Sequence, residues 1–203
     1  LIIGGGDGGM LREVLRHSSI EKCTMVEIDS SVVELSKEYL PNHSQGAFVD
    51  PRTNLVFNDG SAFAREPDDL YDVMIVDSTD PIGPGEVLFQ DTFYANTRNC
   101  LHPDGILVTQ NGVPFLQADE LRNSLMHLKQ FFTDVSCYLA TIPTYVGGPM
   151  AFGWASNSKS HRSVDVEILT ERFAQSGIST RYYSPEVHKG AFALPPYISN
   201  LTE

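Results

Sequence analysis

Apolar runs alternate with helical patterns along the chain, and that alternation leaves few folds open. Leu1–Ile3 reads as a strand stub, Met10–Arg16 as a helix and Cys23–Ile28 as a buried strand. A helix with Ser30 as its cap then runs to Tyr39 and stops before Pro41. Asn54–Phe57 predicts a strand, Ser61–Arg65 a short helix, and Tyr71–Val76 an apolar strand interrupted only by Asp72. A loop dense in Pro and Gly follows. Helix resumes over Phe93–Cys100, strand over Ile106–Gln110 and helix over Asp119–Phe132. Ser136–Ile142 and Met150–Ala155 can pair through the Gly147-Gly148 turn, and Val164–Gln175 is a last amphipathic helix. Strands separated by helices pair in parallel and need cover on both faces. The predicted fold is therefore α/β, a doubly wound, mostly parallel sheet with an antiparallel hairpin at its edge.

The 203 residues suit a single domain, and no linker, repeat or low-complexity tract divides them. Lys and Arg number 14 against 26 Asp and Glu, a formal charge of −12 that opposes nucleic acid and anionic lipid as partners and suits cationic ones. No apolar run approaches the ~20 residues of a membrane span. Cys23, Cys100 and Cys137 are odd in number and far apart, as expected of buried thiols in a reducing, cytoplasmic setting. The six histidines lack HExxH or other ligand spacing, and no GxSxG elbow is present, so neither a metal site nor a serine hydrolase is expected. Asn42 and Asn200 match a glycosylation triplet by chance. The chain opens in mid-strand without Met, which predicts that the natural protein continues upstream and that residues 1–203 are one catalytic domain.

In such sheets ligands bind beyond the carboxyl ends of the strands, where the strand order reverses. Five successive apolar runs end in acidic, amide or glycine residues: Gly4–Gly9, Glu27-Ile28-Asp29, Asn58-Asp59-Gly60, Asp77–Asp80 and Gln110-Asn111-Gly112. Gly4, Gly6 and Gly9 satisfy GxGxxG, a turn that lets a ligand approach the backbone closely. Asp7 inside that loop repels pyrophosphate or a substrate carboxylate and attracts a cationic group. Either Glu27 or Asp29, about twenty residues on, is placed to grip ribose hydroxyls, and Asp29 can equally cap the next helix. Asp59 can meet an adenine amino group, with Gly60 admitting the base, or can cap the helix that follows. Asp77-Ser78-Thr79-Asp80-Pro81 carries two carboxylates that are costly to bury without cationic partners, and Pro81 biases Asp80 towards extended backbone. Ile82-Gly83-Pro84-Gly85 has the hinge-capable glycines of a lid.

At Gly4–Gly9, Met25–Asp29, Asp77–Pro84, Ile142-Pro143-Thr144-Tyr145 and Phe192-Ala193-Leu194-Pro195 the chain resembles the polyamine aminopropyltransferases, the family of the spermidine synthases. The resemblance implies a Rossmann-like class I methyltransferase fold. It also implies transfer of an aminopropyl group from decarboxylated S-adenosylmethionine to putrescine, without a prosthetic group, in a homodimer or homotetramer. Asp77 then matches the catalytic base. Asp7 matches the residue holding the amine of the aminopropyl arm, Glu27 the ribose ligand, Asp59 and Gly60 the adenine contacts, and Pro84 part of the adenosine pocket. Asp80, with Ser78 and Thr79, belongs to the stretch that holds substrate amine, and Gln110 and Tyr145 resemble residues lining the diamine channel. Trp154 either lines that channel or packs in the core. The family's N-terminal β-rich segment has no counterpart in these residues. A diamine N-methyltransferase on the same fold, a dinucleotide oxidoreductase and a non-catalytic nucleoside-binding module are the competing readings.

Overall fold

The computed structural model describes residues 1–78 and 83–202, with only the backbone of Pro84. Seven strands form one sheet: β1 (Ile2–Gly4), β2 (Cys23–Glu27), β3 (Thr53–Phe57), β4 (Tyr71–Asp77), β5 (Leu101–Gln110), β6 (Asp134–Ala140) and β7 (Met150–Ser156). Their order is β3-β2-β1-β4-β5-β7-β6. The first five run parallel, and β7 is antiparallel to both β5 and β6. The hairpin thus lies at the edge as expected, with its antiparallel strand on the inside and β6 outermost.

Alternate residues of one strand feed two cores. Ile2 and Met25 pack with Leu11 and Leu15 of α1 (Gly9–Leu15) and Val33 of α2 (Ser30–Tyr39). Ile3 and Val26 pack on the other face with α4 (Gly60–Arg65), α5 (Asp91–Asn99) and α6 (Ala118–Leu128), through Phe63, Phe93 and Leu121 among others. Each such apolar side chain contributes about 1.5–3 kcal/mol when fully buried, so the period-two pattern is strongly enforced. Over β4 and β5 the α1 side is thinly covered: Val73 is half-exposed, and a cavity of about 140 Å³ opens there.

Four short elements lie where the sequence suggested loops: α3 (Pro41–Ser44), a 3₁₀ turn at Ala47–Val49, α8 (Pro185–Ala191) and α9 (Pro196–Ser199), the last two following α7 (Val166–Ser176). Pro185 stands at the first turn of α8, and the Ser184 hydroxyl accepts the Val187 N–H at 3.2 Å, a start signal the periodicity reading passed over. Helix α2 is capped not by Ser30 but by Asp29, whose carboxylate accepts the Ser31 N–H at 2.9 Å. Asp29 has the extended backbone a cap needs, whereas Ser30 is already helical.

Candidate active site

The strand order reverses between β1 and β4, and the crevice expected there is bounded by two facing residues, Gly4 and Asp77, which are paired in register. Gly4 has φ +82°, and any Cβ on it would overlap the Asp77 carbonyl, so only glycine fits at this pairing. The loop that follows closes on itself, Gly8 N–H donating to Gly5 O at 2.9 Å. The Asp77 carboxylate lies beside Gly5, with Oδ2 only 3.2 Å from where a Cβ would stand.

Asp77 is half-buried, and burial pushes its carboxyl above the ordinary range, with the negative charges of Asp7 and Glu27 adding to the shift. Three carboxylates from three strand ends therefore share one electrostatic environment. No cationic side chain of the described residues forms an ion pair with Asp77 or Glu27, and Asp7 has only His43. The charge balance favours a ligand that is itself positive.

Glu27 is nearly buried at 8% exposure, its Oε1 accepting the Asp29 N–H at 3.0 Å. Its Oε2 would stand 2.8 Å from a Cβ on Gly6, so the bare glycine leaves room for this carboxylate. Asp29, in contrast, is exposed and spent on the cap of α2, where hydrogen bonds from Ser31 hold its carboxyl below the usual range. Of the two candidates for ribose, Glu27 is the one left facing the glycine loop.

Asp59 caps α4: its Oδ1 accepts the Ser61 N–H at 2.7 Å and the Ala62 N–H at 3.0 Å. Gly60 has no room for a Cβ because Ile3 occupies it, so this strand end closes tightly against β1. The cap does not preclude a ligand contact through the second carboxylate oxygen. Replacing Asp59 by Ala should destabilise the fold by about 1 kcal/mol through loss of the cap, whereas Asn should retain most of it. Thermal unfolding of the two variants separates this structural loss from any loss of nucleoside affinity common to both.

Beyond Asp77 the cavity on the α1 side is lined by Met10, Val73, Ile75, Val76, Val108, Gln110, Tyr138 and Phe152 as well as Asp77. Strand alternation explains most of the set, since Val73, Ile75 and Asp77 share one face of β4 and Val108 and Gln110 share one face of β5, Val76 alone belonging to the opposite face. Tyr138 and Phe152 are register partners whose rings stack at 5.2 Å. Phe192 leans on Tyr138 at 5.5 Å and on Trp154 at 5.6 Å, so the C-terminal segment buttresses this wall. Burial pushes the Tyr138 phenol up to about 12, which keeps it neutral. Tyr138, Phe152 and Met10 were not singled out from sequence, although the alternating pattern of the hairpin strands was the available signal.

Gln110 is thus brought to the site with Asp77. Its neighbour Asn111 is fully buried and fastens β5 to β7, accepting the Gly153 N–H at 3.0 Å. Tyr145 lies on the β6–β7 loop, half-exposed, outside the cavity lining. Trp154 donates to Asp134 at 3.4 Å and packs edge-on to Phe192, the core role among its two readings. Ser78 continues from β4 and is half-buried. Thr79, Asp80, Pro81 and Ile82 lie outside the described residues, as does the side chain of Pro84. Gly83–Phe89 winds into a 3₁₀ turn, with Gly83 at φ +63°.

Comparison with known proteins agrees with this arrangement. Residues 1–166 match the Spermine/spermidine synthase domain family. The chain is 64% identical over 201 residues to a polyamine aminopropyltransferase of Ruegeria sp. (strain TM1040), covering 99% of this chain and 71% of that relative. It is 57% identical over 198 residues to polyamine aminopropyltransferase 1 of Pseudomonas aeruginosa, covering 98% of this chain and 69% of the relative. Among solved structures, a spermidine synthase in complex with the transition state analogue AdoDATO superposes with a TM-score of 0.91 at 34% identity, covering 99% of this chain and 68% of that one. The spermidine synthase from Thermotoga maritima gives 0.88 at 34% identity, covering 99% and 67%. With the glycine loop, the acidic strand ends and the 3-2-1-4-5-7-6 sheet in place, the chain belongs to the spermine/spermidine synthase family.

Proposed function

We propose that this protein is a spermidine synthase, transferring the aminopropyl group of decarboxylated S-adenosylmethionine to putrescine and releasing methylthioadenosine. The observation that carries this reading is the shared negative environment of Asp7, Glu27 and Asp77 at the strand-order switch. A relative 64% identical is named a polyamine aminopropyltransferase, and a solved structure 34% identical is named a spermidine synthase. Decarboxylation leaves the donor with a sulfonium and an ammonium and no carboxylate, so every charge it brings is attracted. Ordinary S-adenosylmethionine would set its carboxylate against Asp7.

The donor's ribose diol faces Glu27, its adenine lies towards Asp59, Gly60 and Pro84, and its amine towards Asp7. Putrescine occupies the cavity lined by Gln110 and Tyr138, its methylenes against Phe152 and its attacking nitrogen beside Asp77. Thr79, Asp80 and Tyr145 belong to the acceptor side by family pattern.

Free alkyl amines titrate at ~10, so at neutral pH only about one in a thousand is neutral and nucleophilic. Asp77 accepts the proton, directly or through water, and the raised affinity of its carboxyl makes it a better base than an exposed aspartate. The freed nitrogen pair attacks the methylene carbon next to sulfur; the new C–N bond forms as the C–S bond breaks, and that electron pair returns to sulfur. The sulfonium is a good leaving group, so the protein's task is to align and deprotonate the amine.

No helix of the described residues is long and apolar enough to cross a membrane. The three buried free cysteines fit the reducing cytoplasm, and by family pattern the protein assembles as a homodimer or homotetramer. Product analysis with putrescine and each donor in turn is the direct test. Spermidine and methylthioadenosine from the decarboxylated donor are expected, and N-methylputrescine from the ordinary donor would refute the assignment.

A further inference from the structure

We propose that His43 is a positioning residue for donor binding: it holds the Asp7 carboxylate in the orientation that receives the donor's ammonium. The inference rests on the reading of Asp7 given above. Asp7 is the one residue of Gly4–Gly9 with a side chain, so no other side chain of the loop restrains it. Two contacts do, one from the loop backbone and one from outside the loop. The Gly9 N–H donates to Oδ1 at 2.8 Å, and His43 Nε2 lies 3.2 Å from Oδ2.

The histidine is anchored for this task. It sits on α3, where its N–H donates to Leu40 O at 2.8 Å and its carbonyl accepts from the Arg12 guanidinium. A Cβ on Gly9 would overlap its ring nitrogen, so the imidazole packs directly onto the loop backbone. Neighbouring Ser44 and Phe48 pack as closely on Gly8, each 2.8 Å or less from where a Cβ would stand. Helix α3 and the turn after it therefore form a brace around the loop, and His43 carries that brace to the functional side chain, Asp7.

The pairing leaves Asp7 able to bind. An ionised carboxylate offers about four lone-pair sites, and the Gly9 and His43 contacts use two. At 52% side-chain exposure the remaining sites are open to a ligand. Without His43 the carboxylate is tethered by one oxygen only and is free to turn away from the crevice.

His43→Ala should raise KM for the decarboxylated donor about fivefold, the upper end for an exposed contact with a charged group, with kcat within about twofold of the parent. Methylthioadenosine, which lacks the aminopropyl ammonium, should bind the variant as it binds the parent. His43→Gln, which keeps an N–H within reach, should restore the donor KM. A parallel loss of affinity for methylthioadenosine would assign His43 a merely structural role and overturn the proposal. So would an unchanged donor KM. Asp7→Asn, measured alongside, tells the two failures apart. If it weakens the donor while His43→Ala does not, the positioning role alone is wrong; if it has no effect, the reading of Asp7 falls too.

Discussion

Replacing Asp77 by Asn is expected to lower kcat by about 10²–10⁴-fold, the range for losing a positioned general base, while methylthioadenosine binds as before. Asparagine preserves shape and one acceptor oxygen but takes up no proton, so the loss falls on turnover. Equal losses in turnover and donor affinity would make Asp77 a binding residue instead. The parent's acidic limb of kcat/KM should lie above that of an ordinary carboxylate, because burial first, and then Asp7 and Glu27, push the Asp77 carboxyl up. In the variant that limb should vanish.

The same shift sets the sign of a stability effect. Asp77 binds its proton more tightly folded than unfolded, so between its unfolded and folded pKa values the native state holds more protons. Stability then falls as pH rises through that window. At neutral pH the charged Asp77 is a fixed destabilisation, and Asp77→Asn should melt at a higher temperature than the parent. The gap should close as pH drops below about 3.9, where the carboxyl is neutral in both states. Thermal unfolding across a pH series gives the answer; a variant less stable than the parent at pH 7 would mean that Asp77 has a stabilising partner.

Glu27→Gln should weaken donor and methylthioadenosine together, by about 10–10²-fold, the worth of one charge-assisted hydrogen bond to a ribose hydroxyl. Gln keeps an oxygen for the Asp29 N–H, so the bend after β2 survives and the fold is unaffected. Saturating donor should recover most of kcat, because the ribose lies away from the reacting carbon. Calorimetric titration with methylthioadenosine and steady-state kinetics at high donor concentration check the two halves of this expectation.

The elements that carry the chemistry were legible because each is a strand end. Continuous apolar runs locate β1, β2, β4 and β5 within a residue or so at their C-terminal ends, and therefore Gly4, Glu27, Asp77 and Gln110. Less legible was what several helices contribute. Pro41–Ser44 is one turn long, too short for periodicity, yet it carries His43 to the loop. Ser30 and Asp29 both suit a cap, and only the backbone angles choose between them. Tyr138 and Phe152 become a wall because two strands pair in one register, a relation between residues 14 apart that neither strand states alone.

The seam between β1 and β4 also divides the molecule by substrate. Every proposed donor contact with a described side chain comes from the segment ending at Gly60, and the described acceptor wall, Met10 apart, comes from β4 onward. The two segments meet along the β1–β4 pairing and in the core that Ile3 and Val26 share with α5 and α6. Changes of acceptor length can therefore accumulate in the hairpin and the C-terminal helices, which carry Tyr138, Phe152 and Phe192, with the nucleoside grip intact.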